Sequence, residues 1–239
     1  MIMENISVIA FDGDDTLWVN EPLFEETERE FCALLSKYLP ASAVSAALFE
    51  NEMKNLELYG YGIKGFTLCM VETVCQLAEQ SAGLNLIQDT LRLGRQLLQK
   101  PVVLLDGVED VLKILNGHYR LVLATKGDLL DQERKLKNSG LAHYFHHIEV
   151  MSDKGIADYR KLLGHLDCRP EHFLMVGNSV RSDILPVLAL EANAINIPFH
   201  TTWAHECHQD SDIDGKSFLK LSAITELLDY LPLQAAKRI

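Results

Sequence analysis

The sequence predicts an α/β fold: a doubly wound, Rossmann-like parallel sheet of five strands, with an α-helical module inserted after the first strand. Three observations carry this. Five short apolar runs are bounded by Gly, Asp, Asn or Lys: SVIAF (7–11), LVLAT (121–125), HIEVM (147–151), FLMVG (173–177) and AINI (194–197). Helical periodicity separates the later runs. Residues 19–99 hold helical patterns and no clear strand.

Continuous apolar runs of strand length suit parallel strands covered on both faces. The first, 7–11, ends abruptly in Asp12, Asp14 and Asp15. Four helical patterns follow. The first opens with Asn20 as its cap and Pro22 in its first turn. It carries Phe24, Thr27, Phe31, Leu34, Leu35 and Tyr38 on one face and ends at Pro40. The second runs through 42–56. The third carries Phe66, Met70, Val74, Leu77 and Ala78. The fourth carries Ile87, Leu91, Leu97 and Leu98 before Pro101. Such a block is too long for a strand-to-helix loop, so residues 19–99 read as a module inserted into a core of 1–18 and 100–239.

Beyond it, Val108, Val111, Leu112 and Leu115 repeat at helical spacing before the second run. Further helices fit 128–139, stopped by Gly140, and 157–166. Strand–helix alternation implies a doubly wound sheet, whose ligand site lies outside the carboxyl ends of its strands.

Composition narrows the function. With 22 basic and 34 acidic side chains the net charge is −12, which argues against nucleic acid as a partner. An anionic substrate then needs a local positive site. No apolar stretch approaches the ~18 residues of a membrane span, and MIMENISVIAF lacks the basic flank of a signal peptide. Five cysteines, an odd number without a Cys-x-x-Cys pair, read as reduced thiols in a cytoplasmic protein. Monomer and homodimer both remain open.

Four strand ends carry chemically useful groups. Asp12 and Asp14 follow the first run and Thr125 closes the second. Lys154 lies just past the third, and Gly177-Asn178-Ser179 with Asp183 follows the fourth. A parallel sheet gathers them at one edge. Carboxylates, a hydroxyl and an ammonium are what magnesium-assisted phosphoryl transfer through an acyl-phosphate needs.

Asp12-x-Asp14-x-Thr16, Thr125, Lys154 and Gly177-Asn178-x4-Asp183 resemble the four ordered motifs of the haloacid dehalogenase superfamily, over nearly the whole chain. The insert resembles that superfamily's helical C1 cap, which closes over the substrate. The resemblance implies a magnesium-dependent phosphatase acting on a small phosphorylated metabolite. Asp12 would be the nucleophile that becomes an aspartyl-phosphate. Asp14 would be the general acid and base, and Lys154 the counter-charge. Thr125 and the N–H of Lys126 would hold the phosphoryl group. Asp12, the main-chain carbonyl of Asp14, Asn178 and Asp183 would hold Mg2+. Crowding is expected to keep Asp12 ionised against the metal and push Asp14 toward holding its proton.

One departure is Gly177-Asn178 where the superfamily usually has Gly-Asp. An amide oxygen ligates without a formal charge, so weaker metal binding is expected. Asp14 also separates branches: dehalogenase members lack a second aspartate, since a halide leaves without a proton. A phosphomutase is the nearest alternative. A phospho-acceptor signalling module and a catalytically silent binding protein stand further off, the first because its acceptor aspartate lies on a later strand.

Other features have plainer readings. Asp15 is expected to satisfy loop N–H groups, and Lys161, inside a helical pattern, to face solvent. GYGIKG (60–65) matches a dinucleotide pattern but follows a helix instead of a strand, so it reads as a loop in which Tyr61 and Lys64 could select substrate. HTTWAHECH (200–208) lacks zinc spacing and reads as a polar loop with Trp203 packed down. His143, His146 and His147 read as surface or edge residues.

Overall fold

The structure, a computed structural model, describes residues 3–77, 83–207 and 218–233. The chain forms two compact units. The first comprises Met1–Glu21, Val102–Lys126 and Lys135–Ile239, and the second Pro22–Pro101 with Gly127–Arg134.

The first unit is built on β1 (Val8–Phe11), β2 (Arg120–Lys126), β3 (His147–Met151), β4 (Phe173–Gly177), β5 (Asn193–Asn196) and β6 (Leu219–Lys220). All pair in parallel, in the order β3-β2-β1-β4-β5-β6. The sheet therefore has six strands where the sequence predicts five. The sixth is a two-residue edge strand, too short to leave an apolar run of its own.

Alternation along β1 shows how both faces are covered. Ile9 and Phe11 join Val111, Leu115, Leu123, Val176 and Ile195 in one core. Val8 and Ala10 join Val122, Met175, Tyr159, Leu162 and Leu163 in the other. Each such Val, Leu, Ile or Phe side chain removed from water contributes about 1.5–3 kcal/mol. The helices that cover the faces include α5 (Val108–Leu115), whose Val108, Val111, Leu112 and Leu115 are all buried, and α7 (Ile156–His165). The chain moves outward from β1 to β2 and β3, then returns to β4 on the other side of β1. That reversal puts the switch point between β1 and β4, where open α/β sheets place ligands.

The second unit is helical: α1 (Glu21–Leu34), α2 (Ala41–Tyr59), α3 (Ile63–Leu77) and α4 (Gly83–Gln99). Phe31, Leu35, Val44, Leu48, Phe66, Met70, Val74, Leu93 and Leu97 form its core. Ala78, assigned above to the third pattern, lies outside the described residues. One local expectation changes. The first helix stops at Leu34, before a turn that reaches Pro40. Asn20 stands directly before α1, where the N–H groups of Asn20 and Glu21 donate to the Asp15 carboxylate at 2.8–3.2 Å, with Asp15 in the left-handed region at φ 61°. α6 (Leu129–Ser139) ends, as its sequence indicates, at Gly140, whose φ of 75° suits glycine. The four-residue α8 (Leu185–Leu188) follows a π-helical turn, Val180–Ile184.

Candidate active site

The ladder of the central strand runs one residue past β1: Asp12 N–H donates to the Val176 carbonyl at 2.9 Å. This fixes Asp12, 6% exposed, at the switch point. Lys154, in the loop between β3 and α7, donates to Asp12 Oδ1 and, at 2.6 Å, to Asp183 Oδ1. Lys154 and Asp183 are as buried as Asp12. One ammonium between two carboxylates leaves a surplus negative charge in a water-poor site. Burial pushes the Asp12 carboxyl up to about 7 against the pull of Lys154, and the charges of Asp183 and Asp14 push the same way. Burial also works against the Lys154 ammonium, but the two carboxylates outweigh it and hold its pKa above the ordinary lysine value.

The loop after β4 is tied to the loop after β1. Thr16 Oγ1 lies 3.1 Å from Asp12 Oδ2 and 3.3 Å from Asn178 Oδ1, and accepts the Asn178 N–H at 3.1 Å. Asp183 Oδ2 accepts the Ser179 N–H at 3.0 Å. Gly177 makes this possible, since a Cβ there would lie 2.2 Å from Asp183 Oδ2. The phenol of Tyr159 donates to the Ser182 carbonyl at 3.0 Å and lies 3.5 Å from Asp183 Oδ1. Oxygen donors beside surplus buried negative charge suit a hard divalent cation such as Mg2+. Asp12 Oδ2 and Asn178 Oδ1 share Thr16 as neighbour, whereas both Asp183 oxygens already have protein partners.

Asp14 takes different partners from Asp12. Its Oδ1 accepts from Trp18 Nε1 at 2.6 Å, and its two oxygens accept from Lys135 Nζ at 2.9 and 3.0 Å. Lys135 also donates to Asn20 Oδ1 at 2.7 Å. Trp18 is buried, and a Cβ on Gly13 would lie 2.7 Å from its ring. Sequence reading missed Lys135 and Trp18: a charged helix residue and an apolar loop residue carry no signal of a carboxylate partner.

The same notional Cβ on Gly13 would lie 3.3 Å from Thr125 Oγ1, so the hydroxyl at the end of β2 faces the Asp12–Asp14 loop. Thr125 is 1% exposed, and its Oγ1 has no hydrogen-bond partner among the described residues. A buried polar atom of this kind costs stability unless something satisfies it. The Lys126 ammonium turns elsewhere, to Ser182 Oγ at 2.9 Å and to the Glu206 carboxylate. Glu206 also accepts from Ser179 Oγ at 2.5 Å and Ser182 Oγ at 2.6 Å. Burial opposes its ionisation, but Lys126 and the two hydroxyls outweigh this and hold its pKa at about 2. Glu206 lies in the 200–208 segment, so that loop is more than a polar connection. A single glutamate among histidines gave no hint of it. His208 lies outside the described residues.

Lys161 is exposed. Gly60 and Gly62 both have positive φ, in a tight link between α2 and α3. Lys64, at the start of α3, donates to Asp128 at 2.9 Å within the second unit. All five cysteines are free, and among the described residues no helix is long and apolar enough to cross a membrane.

A curated glyceraldehyde 3-phosphate phosphatase of Methanothermobacter thermautotrophicus is 28% identical over 118 residues, 47% of this chain and 51% of that one, so the match spans about half of each protein. A haloacid dehalogenase-like family hydrolase from Xanthomonas campestris is 41% identical, with a TM-score of 0.78 over 83% of this chain and 84% of the other. The magnesium-bound HAD-hydrolase YfnB of Bacillus subtilis shares the fold at 18% identity, with a TM-score of 0.61 over 94% and 97% of the chains. Residues 6–189 match the haloacid dehalogenase-like hydrolase family, and the chain belongs to that family of hydrolases.

Proposed function

We propose that the protein is a phosphatase that hydrolyses a small phosphorylated metabolite through a phosphoryl ester on Asp12. The observation that carries this reading is the buried Asp12–Lys154–Asp183 cluster, with the Thr125 hydroxyl, unpartnered among the described residues, facing the Gly13 backbone next to Asp12. Asp12 is held at both oxygens, by Lys154 at Oδ1 and Thr16 at Oδ2. A carboxylate so fixed can be aimed at phosphorus without reorganising. The Thr125 hydroxyl and the Lys126 N–H supply donors for phosphoryl oxygens, and the Lys154 ammonium balances charge as the phosphoryl group arrives.

In the first step an Asp12 oxygen bonds to phosphorus and the ester P–O bond breaks. The leaving oxygen takes a proton from the Asp14 carboxyl. In the second, Asp14 takes a proton from water, the water oxygen bonds to phosphorus, and the Asp12–phosphorus bond breaks to release inorganic phosphate. Asp14 begins as a carboxylate paired with Lys135, not as the protonated acid that crowding was expected to give, so it must leave that ammonium and take up a proton from solvent before it can protonate the leaving oxygen. Asp12, the Asp14 carbonyl and Asn178 would hold Mg2+, with Asp183 acting chiefly through Lys154 and Ser179. The ion, when bound, adds positive charge against the phosphoryl oxygens. The curated relative acts on a small phosphate ester, in keeping with a metabolite substrate, and residues 19–99 serve as the cap that selects it.

The test is hydrolysis of p-nitrophenyl phosphate and a panel of phosphorylated metabolites with Mg2+, comparing wild type with Asp12→Asn. Activity should vanish in the variant, and quenched wild type should carry a phosphoryl adduct on the Asp12 peptide. Undiminished turnover by a folded Asp12→Asn protein would overturn the reading.

A further inference from the structure

We propose that His147, Glu149 and His165 form a binding site for a borderline divalent transition-metal ion of the Zn2+ class, separate from the hydrolase site. His147 and Glu149 stand two residues apart on β3, so their side chains share a face of the strand. β3 is one of the two edge strands of the sheet, and His165 is the last residue of α7. Glu149 Oε2 lies 2.7 Å from His147 Nε2 and 3.1 Å from His165 Nδ1. All three ligand atoms fall within 4.8 Å of one another.

That spacing fits one ion. Zinc bonds of about 2.0–2.1 Å span ligand atoms about 3.4 Å apart in a tetrahedron. A small rotation of the imidazoles over the carboxylate closes the triangle. Two imidazole nitrogens and one carboxylate oxygen favour Zn2+, Ni2+ or Cu2+ over Mg2+, which prefers oxygen alone. With neutral imidazoles the set carries one negative charge, which a divalent ion more than offsets. The side chains of His147, Glu149 and His165 are 33%, 17% and 44% exposed. The ion therefore has a way in from solvent, and water has room to complete its coordination.

The placement suggests a consequence. His147 opens β3 and His165 closes α7, while Lys154 lies in the loop between them. An ion held at the base of this strand–helix unit would clamp its two ends together, at the end remote from Lys154.

The experiment is calorimetric titration of chelator-treated protein with Zn2+, in saturating Mg2+, paired with thermal melts. Wild type should bind one Zn2+ at this site and melt higher with it. His147→Asn and His165→Asn should each weaken that binding at least about tenfold, since even indirect ligand partners matter by that much, and should lose the thermal shift. His205→Asn, a control in the other histidine-bearing loop, should bind as wild type does. Independently of any variant, Zn2+ should protect His147 and His165 of wild type from acylation by diethylpyrocarbonate, read by peptide mass spectrometry. Unchanged affinity in both β3–α7 variants, or unprotected histidines at saturating Zn2+, would overturn the proposal.

Discussion

Lys135 Nζ sits 2.9 and 3.0 Å from the two carboxylate oxygens of Asp14, while Trp18 Nε1 donates to one of them at 2.6 Å. Seventh in α6, Lys135 thus holds the carboxylate to which we assign the proton transfers. If it sets the resting position of Asp14, Lys135→Met should lower kcat about tenfold on alkyl phosphates, whose leaving oxygen needs a proton. It should change p-nitrophenyl phosphate hydrolysis far less, since that leaving group departs unprotonated. Equal losses on both esters, in steady-state kinetics, would assign Lys135 a purely structural role.

Lys154 separates two buried carboxylates. In Lys154→Met, Asp12 and Asp183 would face each other without a counter-charge. Removing one partner from a buried ionic cluster costs about 3–5 kcal/mol. Without the ammonium the Asp12 carboxyl, already raised by burial, is harder still to ionise when folded than when unfolded. The deficit should therefore grow as pH rises above the ordinary carboxylate range. Urea unfolding at pH 5 and pH 7.5 should show the larger loss at the higher pH.

Gly177 leaves room for Asp183. A methyl group there would meet the carboxylate at 2.2 Å. Gly177→Ala should displace Asp183 and with it Lys154. Misplacing a reacting group by about 1 Å can cost about 100-fold. The expected outcome is a fall in kcat/KM of that order at saturating Mg2+, in a protein that circular dichroism shows to be folded.

Glu206 ties the 200–207 segment to Lys126, Ser179 and Ser182. Its pKa is about 2 when folded, against 4.5 ordinarily. A depressed carboxyl contributes stability that is complete above the unfolded pKa and lost as pH falls toward the folded one. Glu206→Gln should thus cost about 3 kcal/mol at pH 7, and the difference should close as pH falls from about 4.5 toward 2. Denaturant unfolding across that range measures it.

In the proposed site Asn178 would offer Mg2+ an uncharged oxygen where the family resemblance leads one to expect a carboxylate. Fewer charged ligands mean weaker cation binding. Asn178→Asp should lower the Mg2+ concentration for half-maximal activity several-fold. An unchanged midpoint would place Asn178 outside the metal's ligands.

Apolar runs marked the inner strands because a buried parallel strand must be apolar on both faces, a local property that Val8–Phe11 and Phe173–Gly177 display residue by residue, whereas the edge strand β3 leaves Ile148 exposed. The sequence alone also singled out Asp12, Thr125, Lys154 and Asp183, since strand ends are where such a sheet gathers its chemistry. Tertiary structure decided which groups meet: Lys135 with Asp14, Tyr159 with Asp183, Glu206 with Lys126, and His165 with Glu149. These pairs join residues far apart in the chain, except where a helix turns back on its own strand. A lone lysine, tyrosine or histidine reads the same in sequence whether it meets solvent or a buried carboxylate. Only packing, which sets distance and dielectric together, tells the two apart.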